Sequence, residues 1–315
     1  MKDSIKEYFD YHFRMASVGD IDPQNLALKY ICERFELNIE QRYWMAFLFG
    51  CCYCAPTVYY IYNEFPDFEN VDVERLQAWW KENKHKTLFQ TDRLRVKTQN
   101  KLVQTFESYK DLIGKNTQEN FYESIASSMN KKSNYDKVFR VASHIKNFGR
   151  FSNFIYLELL YELTALKIEP SELDIKNAKS CRNGILYAID RADLIDGRMT
   201  ASMVEQLEAV FNSFCSYLKE NHRAEFINPY SAWGVETSLC AYKKYKRGKR
   251  WVGYYLDRQY VEIKKMKANE THGVNWQPLW DFRFETYNHA HLQELTGRKS
   301  SVEMEYRTSE TDNIG

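Results

Sequence analysis

Glycine and proline are scarce in this chain of 315 residues, which holds only 12 Gly and 6 Pro. An all-β sandwich needs many tight turns, and tight turns draw heavily on these two residues. Between the breakers, apolar residues recur at intervals of three and four, as in "DPQNLALKYICERF" and "DVERLQAWWKEN". This spacing is typical of amphipathic helices. The sequence therefore predicts a mainly α fold, with a single helical domain over residues 1–300 and a polar tail at 301–315.

Charge is unevenly distributed, although the formal net charge is only +1. Residues 1–70 hold 6 basic and 11 acidic side chains, whereas residues 81–150 hold 15 basic and 7 acidic ones. Residues 241–267 hold 10 basic and 2 acidic side chains. Local fields steer partners more strongly than the total charge does. The two basic segments therefore suit a polyanionic partner, unless they are only solvated helix faces.

The seven cysteines include a cluster in "WMAFLFGCCYCAPTVYYIY". Their odd number and the lack of a secretory signal favour reduced thiols in a cytoplasm. Cys51, Cys52 and Cys54 lie in an apolar run without a histidine at a zinc-type spacing, so we expect buried core thiols and no metal. His289 and His291 also lack a third ligand. The apolar run is too short to cross a membrane.

Several nucleotide and hydrolase motifs are missing. The chain has no G-x-x-x-x-G-K-[ST], no G-x-G-x-x-G, no H-E-x-x-H and no G-x-S-x-G. We therefore expect no dinucleotide or other cofactor.

A glycine-containing turn, "HIKNFGRFSNF" at residues 144–154, joins two segments of helical spacing. In a helix–hairpin–helix module, such a turn directs backbone N–H groups and the dipole of the second helix at a DNA phosphate. Two glycines usually make the turn. Asn147 and Gly149 occupy those positions here, and Asn tolerates the left-handed conformation. Lys146 and Arg150 would pair with the same phosphate; the alternative is an ordinary helix corner with a glycine cap.

This stretch resembles the hairpin of the helix–hairpin–helix DNA glycosylases, whose second helix is similarly apolar. The resemblance implies a helical glycosylase-like fold and a catalytic aspartate beyond the hairpin, for which Asp174 is the counterpart. Bifunctional members carry a Schiff-base lysine two positions after the second glycine, where this chain has Phe151. A lyase reaction through that lysine is therefore not expected.

Three stretches are similar to the phage amino acid:DNA transferases, also called α-glutamyl/putrescinyl thymine pyrophosphorylases. They are "RYWMAFLFGCCYCAPT", the hairpin and "WGVETSLCAYKKYKRGKRWVGYYLDR", and the resemblance covers most of residues 20–290. It implies double-stranded DNA with a phosphorylated 5-hydroxymethyluracil base as one substrate and a free amino acid as the other. The amine would join the 5-methylene carbon, and phosphate or pyrophosphate would leave. The same resemblance implies action in the cytoplasm of an infected bacterial host.

Such a reaction needs a base near the amine, a partner for the amino acid's carboxylate and cations at the leaving phosphate. Glu236, in the loop-like stretch "AWGVETS", is the first candidate base, and Asp174 is the second. Either could instead be a helix cap or a solvated acid. The predicted substrate-binding residues are Arg182, Asn183, Trp233, Thr237 and Arg283, for which the alternatives are a helix start or a core position.

The segment "KKYKRGKRWVGYY" interleaves cations with aromatic rings. Cations neutralise phosphates, and rings stack on the bases of an opened duplex or on a flipped base. The predicted DNA-binding residues here are Lys246, Arg247, Lys249, Arg250 and Trp251. The alternative is a basic β-hairpin that turns at Gly248 and directs its rings into the core. We expect this C-terminal part to be less regular than the rest of the chain.

Two other functions remain open from the residues alone. A monofunctional glycosylase of the same fold would excise a base and leave an abasic site. A non-catalytic scaffold would bind DNA through the hairpin and the basic segment, in a salt-dependent way.

Overall fold

The computed structural model describes residues 2–170, 174–195, 197–269, 271, 273–287 and 289–296. All regular structure in these ranges is helical, and none of their residues forms a β-strand. The predicted mainly α fold is therefore confirmed. Residues 301–315, for which we predicted a polar tail, lie outside the described ranges. Within those ranges, no helix combines the length and the apolar character that a membrane span requires.

The chain divides into two compact units. The terminal unit comprises Met1–Pro23, Glu172–Tyr260 and Arg283–Gly315, and the central unit comprises Gln24–Ser171 and Val261–Phe282. The single domain over residues 1–300 stays a prediction.

The central unit is built around two apolar helices. Its helices are α2 (Pro23–Arg34, with Pro23 in the terminal unit), α3 (Ile39–Cys52), α4 (Ala55–Glu64), α5 (Val73–Asn83), α6 (Leu94–Thr98), α7 (Leu102–Ile113), α8 (Gln118–Ile125), α9 (Lys131–Ala142) and α10 (Arg150–Thr164). Helices α3 and α10 approach closely at Gly50, where an added Cβ would lie 2.8 Å from the Phe148 ring and 3.0 Å from the Cβ of Tyr156. Cys51, Cys52 and Cys54 are fully buried, as predicted.

The terminal unit contains α1 (Asp3–Val18), α11 (Lys179–Ala188), α12 (Ala201–Glu220), α13 (Ala232–Tyr245) and α16 (His289–Thr296). Two further helices, α14 (Tyr254–Ala268) and α15 (Gln277–Thr286), have residues in both units. Helix α1 is tied to α13 by buried polar contacts. The Oγ of Ser238 lies 3.0 Å from the Tyr8 hydroxyl and 2.8 Å from Nδ1 of His12.

The C-terminal segment that we expected to be less regular forms α13 and α14, joined by a turn at residues 246–253. The β-hairpin alternative is wrong, because the segments that precede and follow this turn are helices and not strands. Gly248 does make a turn, with φ of 65°, a conformation that glycine adopts without strain.

Candidate functional site

Helix α13 carries the main candidate base, Glu236. The expectation that Glu236 lies in a loop is wrong, because Ser231 caps the helix by accepting a hydrogen bond from the backbone N–H of Gly234 at 2.9 Å. Glu236, Cys240 and Lys243 follow at intervals of four and three, so they share one stripe of the helix. The helix thus sets a carboxylate, a thiol and an amine in a row.

Helix α11 packs against α13 with almost no space between the backbones. An added Cβ at Gly184 would lie 2.2 Å from the carbonyl oxygen of Leu239. This close approach brings polar side chains of the two helices together. The Nζ of Lys243 donates to the Oγ of Ser180 at 2.6 Å. The candidate site of the terminal unit is therefore the line where α11 meets α13.

Glu236 is half-buried beside a protonated thiol. Its Oε1 accepts a hydrogen bond from the Sγ of Cys240 at 3.2 Å. Burial raises the pKa of the Cys240 thiol well above its usual value, and the neighbouring carboxylate of Glu236 raises it further. Cys240 therefore stays neutral and acts as a donor that holds the carboxylate in place, and it is not a reactive thiolate.

Three half-buried cations lie in the same site. Burial lowers the pKa values of Lys243 and Lys244 below the usual lysine range, and the charge of Arg250 lowers both further. The Arg250 guanidinium lies over the rings of Tyr254 and Tyr255, 4.7 and 4.5 Å from their centroids, and donates to the Tyr255 hydroxyl. The site is thus strongly electropositive around Glu236 and Cys240.

Arg182 and Asn183 lie inside α11, beyond its first turn. The Nη1 of Arg182 donates to the carbonyl of Lys176 at 2.6 Å, while its Nε is buried without a hydrogen-bond partner among the described residues. Asn183 is 4% exposed, and its Oδ1 likewise has no partner in the described part of the chain. Buried polar atoms that lack a partner are costly and are typical of ligand sites.

Asp174 precedes α11 in a tight turn, with φ of 49°. Its carboxylate accepts two hydrogen bonds from the side-chain amide of Asn177, at 2.9 and 3.1 Å. Its backbone carbonyl also accepts from the N–H groups of Asn177 and Ala178. Asp174 therefore shapes the entry to α11, and its catalytic role stays a prediction.

The other predicted substrate-binding residues are largely buried. Arg283 is fully buried, and its Nη1 donates to the carbonyl of Leu256 at 2.9 Å and to Oε1 of Gln259 at 2.8 Å. Trp233 and Thr237 are 2% and 8% exposed. Their contact with a substrate stays a prediction, as does that of Arg283.

The turn between α13 and α14 carries the predicted DNA-binding residues of the basic segment. Lys249 is exposed, whereas Lys246 pairs with Glu7, with Nζ 2.8 Å from the nearer carboxylate oxygen. Arg247 donates from Nε to the Tyr187 hydroxyl at 3.1 Å, and Nε1 of Trp251 donates to Asp257 at 3.1 Å. The charge of Lys246 is therefore partly neutralised, and Lys249 is better placed to meet a partner.

A buried carboxylate that we did not predict fixes this turn. Asp20 has no exposed surface and accepts hydrogen bonds from the backbone N–H groups of Gly253 and Tyr255 at 2.8 Å and of Leu256 at 3.2 Å. Burial raises the pKa of Asp20 to about 8, although these three donors lower it. Asp20 thereby caps the N-terminus of α14. No local pattern reveals it, because the capping side chain lies more than 230 residues from the helix that it caps.

The hairpin of the central unit is a second candidate site. Asn147 has φ of 65°, which confirms the predicted left-handed conformation. Its side chain donates to the Thr105 hydroxyl at 2.9 Å, and its carbonyl accepts from Nη1 of Arg93 at 3.1 Å. The hairpin is thus held by two other segments of the unit, both outside the stretch that suggested it.

Gly149 differs from the expectation of a two-glycine turn. Its φ of −107° and ψ of −172° are open to any residue, and an added Cβ would meet no atom within 4 Å. Gly149 is the N-cap of α10 and supplies no side-chain hydrogen bond. The first N–H groups of α10 therefore receive no capping side chain from Gly149, beside the exposed Lys146 and the half-buried Arg150. The position that a Cβ of Gly149 would take is open, so no side chain of this residue covers the backbone there.

Sequence reasoning missed Ser180 and Cys240, because Glu236 was assigned to a loop, and it quoted Lys243 and Lys244 in the basic segment without naming them as site residues. A helical assignment would have aligned Glu236 with Cys240 and Lys243 by spacing. Among the described residues, no group of three or more His, Cys, Asp or Glu side chains could hold a metal ion.

Comparison with known proteins identifies the family. The family model described as amino acid:DNA transferase matches residues 17–250. The serinyltransferase of Salmonella phage ViI is 28% identical over 252 residues, a match that covers 73% of this chain and 60% of the relative. The matched region thus spans less than two thirds of that relative. Because the family model covers well over half of the chain, the protein belongs to the amino acid:DNA transferase family.

Proposed function

We propose that the protein joins an amino acid to a phosphorylated 5-hydroxymethyluracil base in double-stranded DNA. One observation carries the proposal: Glu236 lies half-buried on α13, which also carries the half-buried Lys243 and Lys244 and is followed by a turn with the half-buried Arg250. Attack by an amine with loss of a phosphate needs a base and cations side by side. Membership of the amino acid:DNA transferase family supports the two substrates, DNA and an amino acid.

The bond changes follow from these substrates. The amine nitrogen attacks the 5-methylene carbon, and the carbon–oxygen bond to the phosphate breaks. The phosphate leaves with the bonding electron pair, and the proton that the amine loses passes to Glu236. Cys240 keeps the carboxylate oriented through its Sγ–H hydrogen bond. Because the substrate arrives already phosphorylated, the protein needs no nucleotide-binding loop of its own.

The amino acid's carboxylate needs a partner close to Glu236. Arg182 and Asn183 are suitable, because they lie on α11, which packs directly on α13. The Nε–H of Arg182 can donate to a carboxylate. The Oδ1 of Asn183 can accept from the amine of the amino acid. The name of the phage relative makes serine the first amino acid to test.

The hairpin is our proposed anchor for the duplex. Asn147, Lys146 and the start of α10, where Gly149 supplies no capping side chain, offer a left-handed turn, a cation and helix N-terminal N–H groups, which are the features of helix–hairpin–helix phosphate binding. Such an anchor holds DNA without reading its sequence. We propose that it binds the DNA backbone while the reaction occurs at α11 and α13.

The test is the variant Glu236→Gln, assayed for transfer of labelled serine to a duplex that carries the phosphorylated base. We expect turnover to fall roughly 10²- to 10⁴-fold, the contribution of a general base, with duplex affinity unchanged. Glu205→Gln, an exposed acid on α12 of the same unit, is the matched control and should keep full activity. Full activity in Glu236→Gln would remove Glu236 from the mechanism.

A further inference from the structure

We propose that Lys243, Lys244 and Arg250 form a dedicated binding site for the phosphate or diphosphate that leaves the base, distinct in role from the residues that contact the DNA backbone. The assignment rests on the proposed function, since that reaction releases the anion. It changes the role of Arg250, which the sequence suggested as a DNA contact, and it adds Lys243 and Lys244, which begin the basic segment but were not among the predicted site residues.

The first observation is a lack of acidic partners. Within the described residues, none of the three cations has a carboxylate oxygen within 4.0 Å. Nearby Lys246, by contrast, is paired with Glu7. Glu236 raises the pKa of Lys243 from beyond this distance, but three half-buried cations still leave an excess of positive charge, and a bound anion would offset the cost of burying it. This excess of positive charge is local to the site and points to a negatively charged ligand.

The second observation is that neutral groups hold two of the cations and leave donors unused. Arg250 rests on the rings of Tyr254 and Tyr255 and makes one hydrogen bond, to the Tyr255 hydroxyl. A guanidinium has five N–H donors, so the other donors remain for a ligand. Lys243 likewise uses one of its three N–H donors in the hydrogen bond to Ser180. Both side chains are therefore positioned before any anion arrives.

The three cations are close in the fold, because Lys243 and Lys244 lie in the last turn of α13 and Arg250 lies in the turn that follows. The charge of Arg250 lowers the pKa values of both Lys243 and Lys244, and Lys243 also lowers that of Lys244. A bound anion would oppose this effect, because its negative charge favours the charged form of both lysines. The cluster therefore responds to an anion as a unit.

The charge of the cluster favours a leaving group over a backbone phosphate. Each backbone phosphate carries one negative charge, whereas a phosphate monoester carries about two and a diphosphate more. Three cations packed together match the more highly charged anion. The half-buried position of the three cations also favours the leaving group, because a duplex surface reaches exposed cations such as Lys249 more readily.

The decisive experiment compares binding of two probes, inorganic pyrophosphate and an unmodified duplex, by calorimetry on the full chain. We expect Lys243→Gln and Arg250→Gln to weaken pyrophosphate binding roughly 10- to 100-fold each and to leave duplex affinity nearly unchanged. Lys249→Gln should show the opposite pattern. Lys219→Gln, an exposed cation on α12 of the same unit, controls for loss of one charge and should change neither affinity.

The idea is overturned if the wild-type protein fails to bind pyrophosphate, or if Arg250→Gln weakens duplex binding as strongly as Lys249→Gln does. These outcomes can be separated from failure of the transfer reaction. Transfer without pyrophosphate binding would refute only the anion site. Pyrophosphate binding that depends on the three cations, without transfer, would leave the anion site standing and refute the proposed reaction.

A second measurement needs no variant and so does not depend on folding of the substituted chains. Acetic anhydride labels accessible lysine amines, and mass spectrometry reports the extent at each position. Pyrophosphate should protect Lys243 and Lys244 several-fold and leave Lys219 unprotected. Equal labelling of Lys243 and Lys244 with and without pyrophosphate would overturn the assignment.

Discussion

The substitution Gly184→Ala tests whether the close contact between α11 and α13 holds the candidate site together. The new methyl group would lie 2.2 Å from the Leu239 carbonyl oxygen, which belongs to the backbone. Ordinary contact between a carbon and another heavy atom is about 3.5 Å, so the helices would have to separate by roughly 1 Å. No side-chain rotation can relieve the clash.

The magnitude follows from two opposing effects. Overpacking a tight interface costs about 1–3 kcal/mol, and more where only the backbone can yield. Replacing glycine by alanine inside a helix recovers about 1 kcal/mol of helix propensity. We therefore expect a net loss of roughly 1–2 kcal/mol in the free energy of unfolding of the terminal unit.

The effect on transfer should exceed the effect on stability. A separation of about 1 Å would stretch the hydrogen bond between Lys243 and Ser180, now 2.6 Å, beyond its normal range. Misplacement of catalytic groups by that distance costs about 10²-fold in rate. Turnover with the phosphorylated duplex should fall by that order, even at temperatures where the variant is fully folded.

Two assays report the result: hydrogen exchange of peptides from α11 and α13, and steady-state transfer. Gly149→Ala is the matched control, since its methyl group would meet nothing within 4 Å and the residue lies in the central unit. Exchange of the α11 and α13 peptides should stay at the wild-type rate in this variant. If Gly184→Ala exchanges no faster than wild type and retains wild-type turnover, the reasoning about this helix contact is refuted.

Three further predictions concern the hairpin and a buried histidine. Asn147→Gly should preserve the left-handed turn, whereas Asn147→Val should destabilise the hairpin by about 1–2 kcal/mol, measured by hydrogen exchange of its peptides. Lys146→Ala should reduce the slope of log affinity against log salt by about one in duplex titrations, and an unchanged slope would exclude a phosphate contact. Burial lowers the pKa of His12 to about 3. As the pH falls, His12 therefore binds a proton in the unfolded chain but stays neutral in the folded chain. Stability should hold above pH 6.5 and fall by roughly 1 kcal/mol by pH 5.5 in urea titrations; His12→Gln should remove this loss, and the exposed His85→Gln should not.

The helices themselves were largely predictable, because their apolar spacing is local. The segment "DPQNLALKYICERF" became α2 at Pro23–Arg34, and "DVERLQAWWKEN" became α5 at Val73–Asn83. The left-handed Asn147 was predictable for the same reason, since residue type governs that conformation.

The arrangement of the site was not predictable, because it depends on contacts between distant segments. Gly184 meets Leu239, and Asp20 caps a helix that begins at Tyr254. Glu236 was assigned to a loop because Gly234 lies nearby, yet the cap from Ser231 starts the helix before that glycine. These pairings belong to tertiary structure, which local sequence patterns do not reveal.

The central claim is tested most directly by mass analysis of modified DNA. The wild-type protein would be incubated with serine and a duplex that carries phosphorylated 5-hydroxymethyluracil, and the DNA would then be digested to nucleosides. The account predicts a new nucleoside in which the serine nitrogen has replaced the phosphate on the 5-methylene carbon. A second incubation with a pool of all amino acids would detect transfer of an amino acid other than serine. Recovery of only the starting phosphorylated nucleoside, despite tight DNA binding, or the appearance of abasic sites, would contradict it.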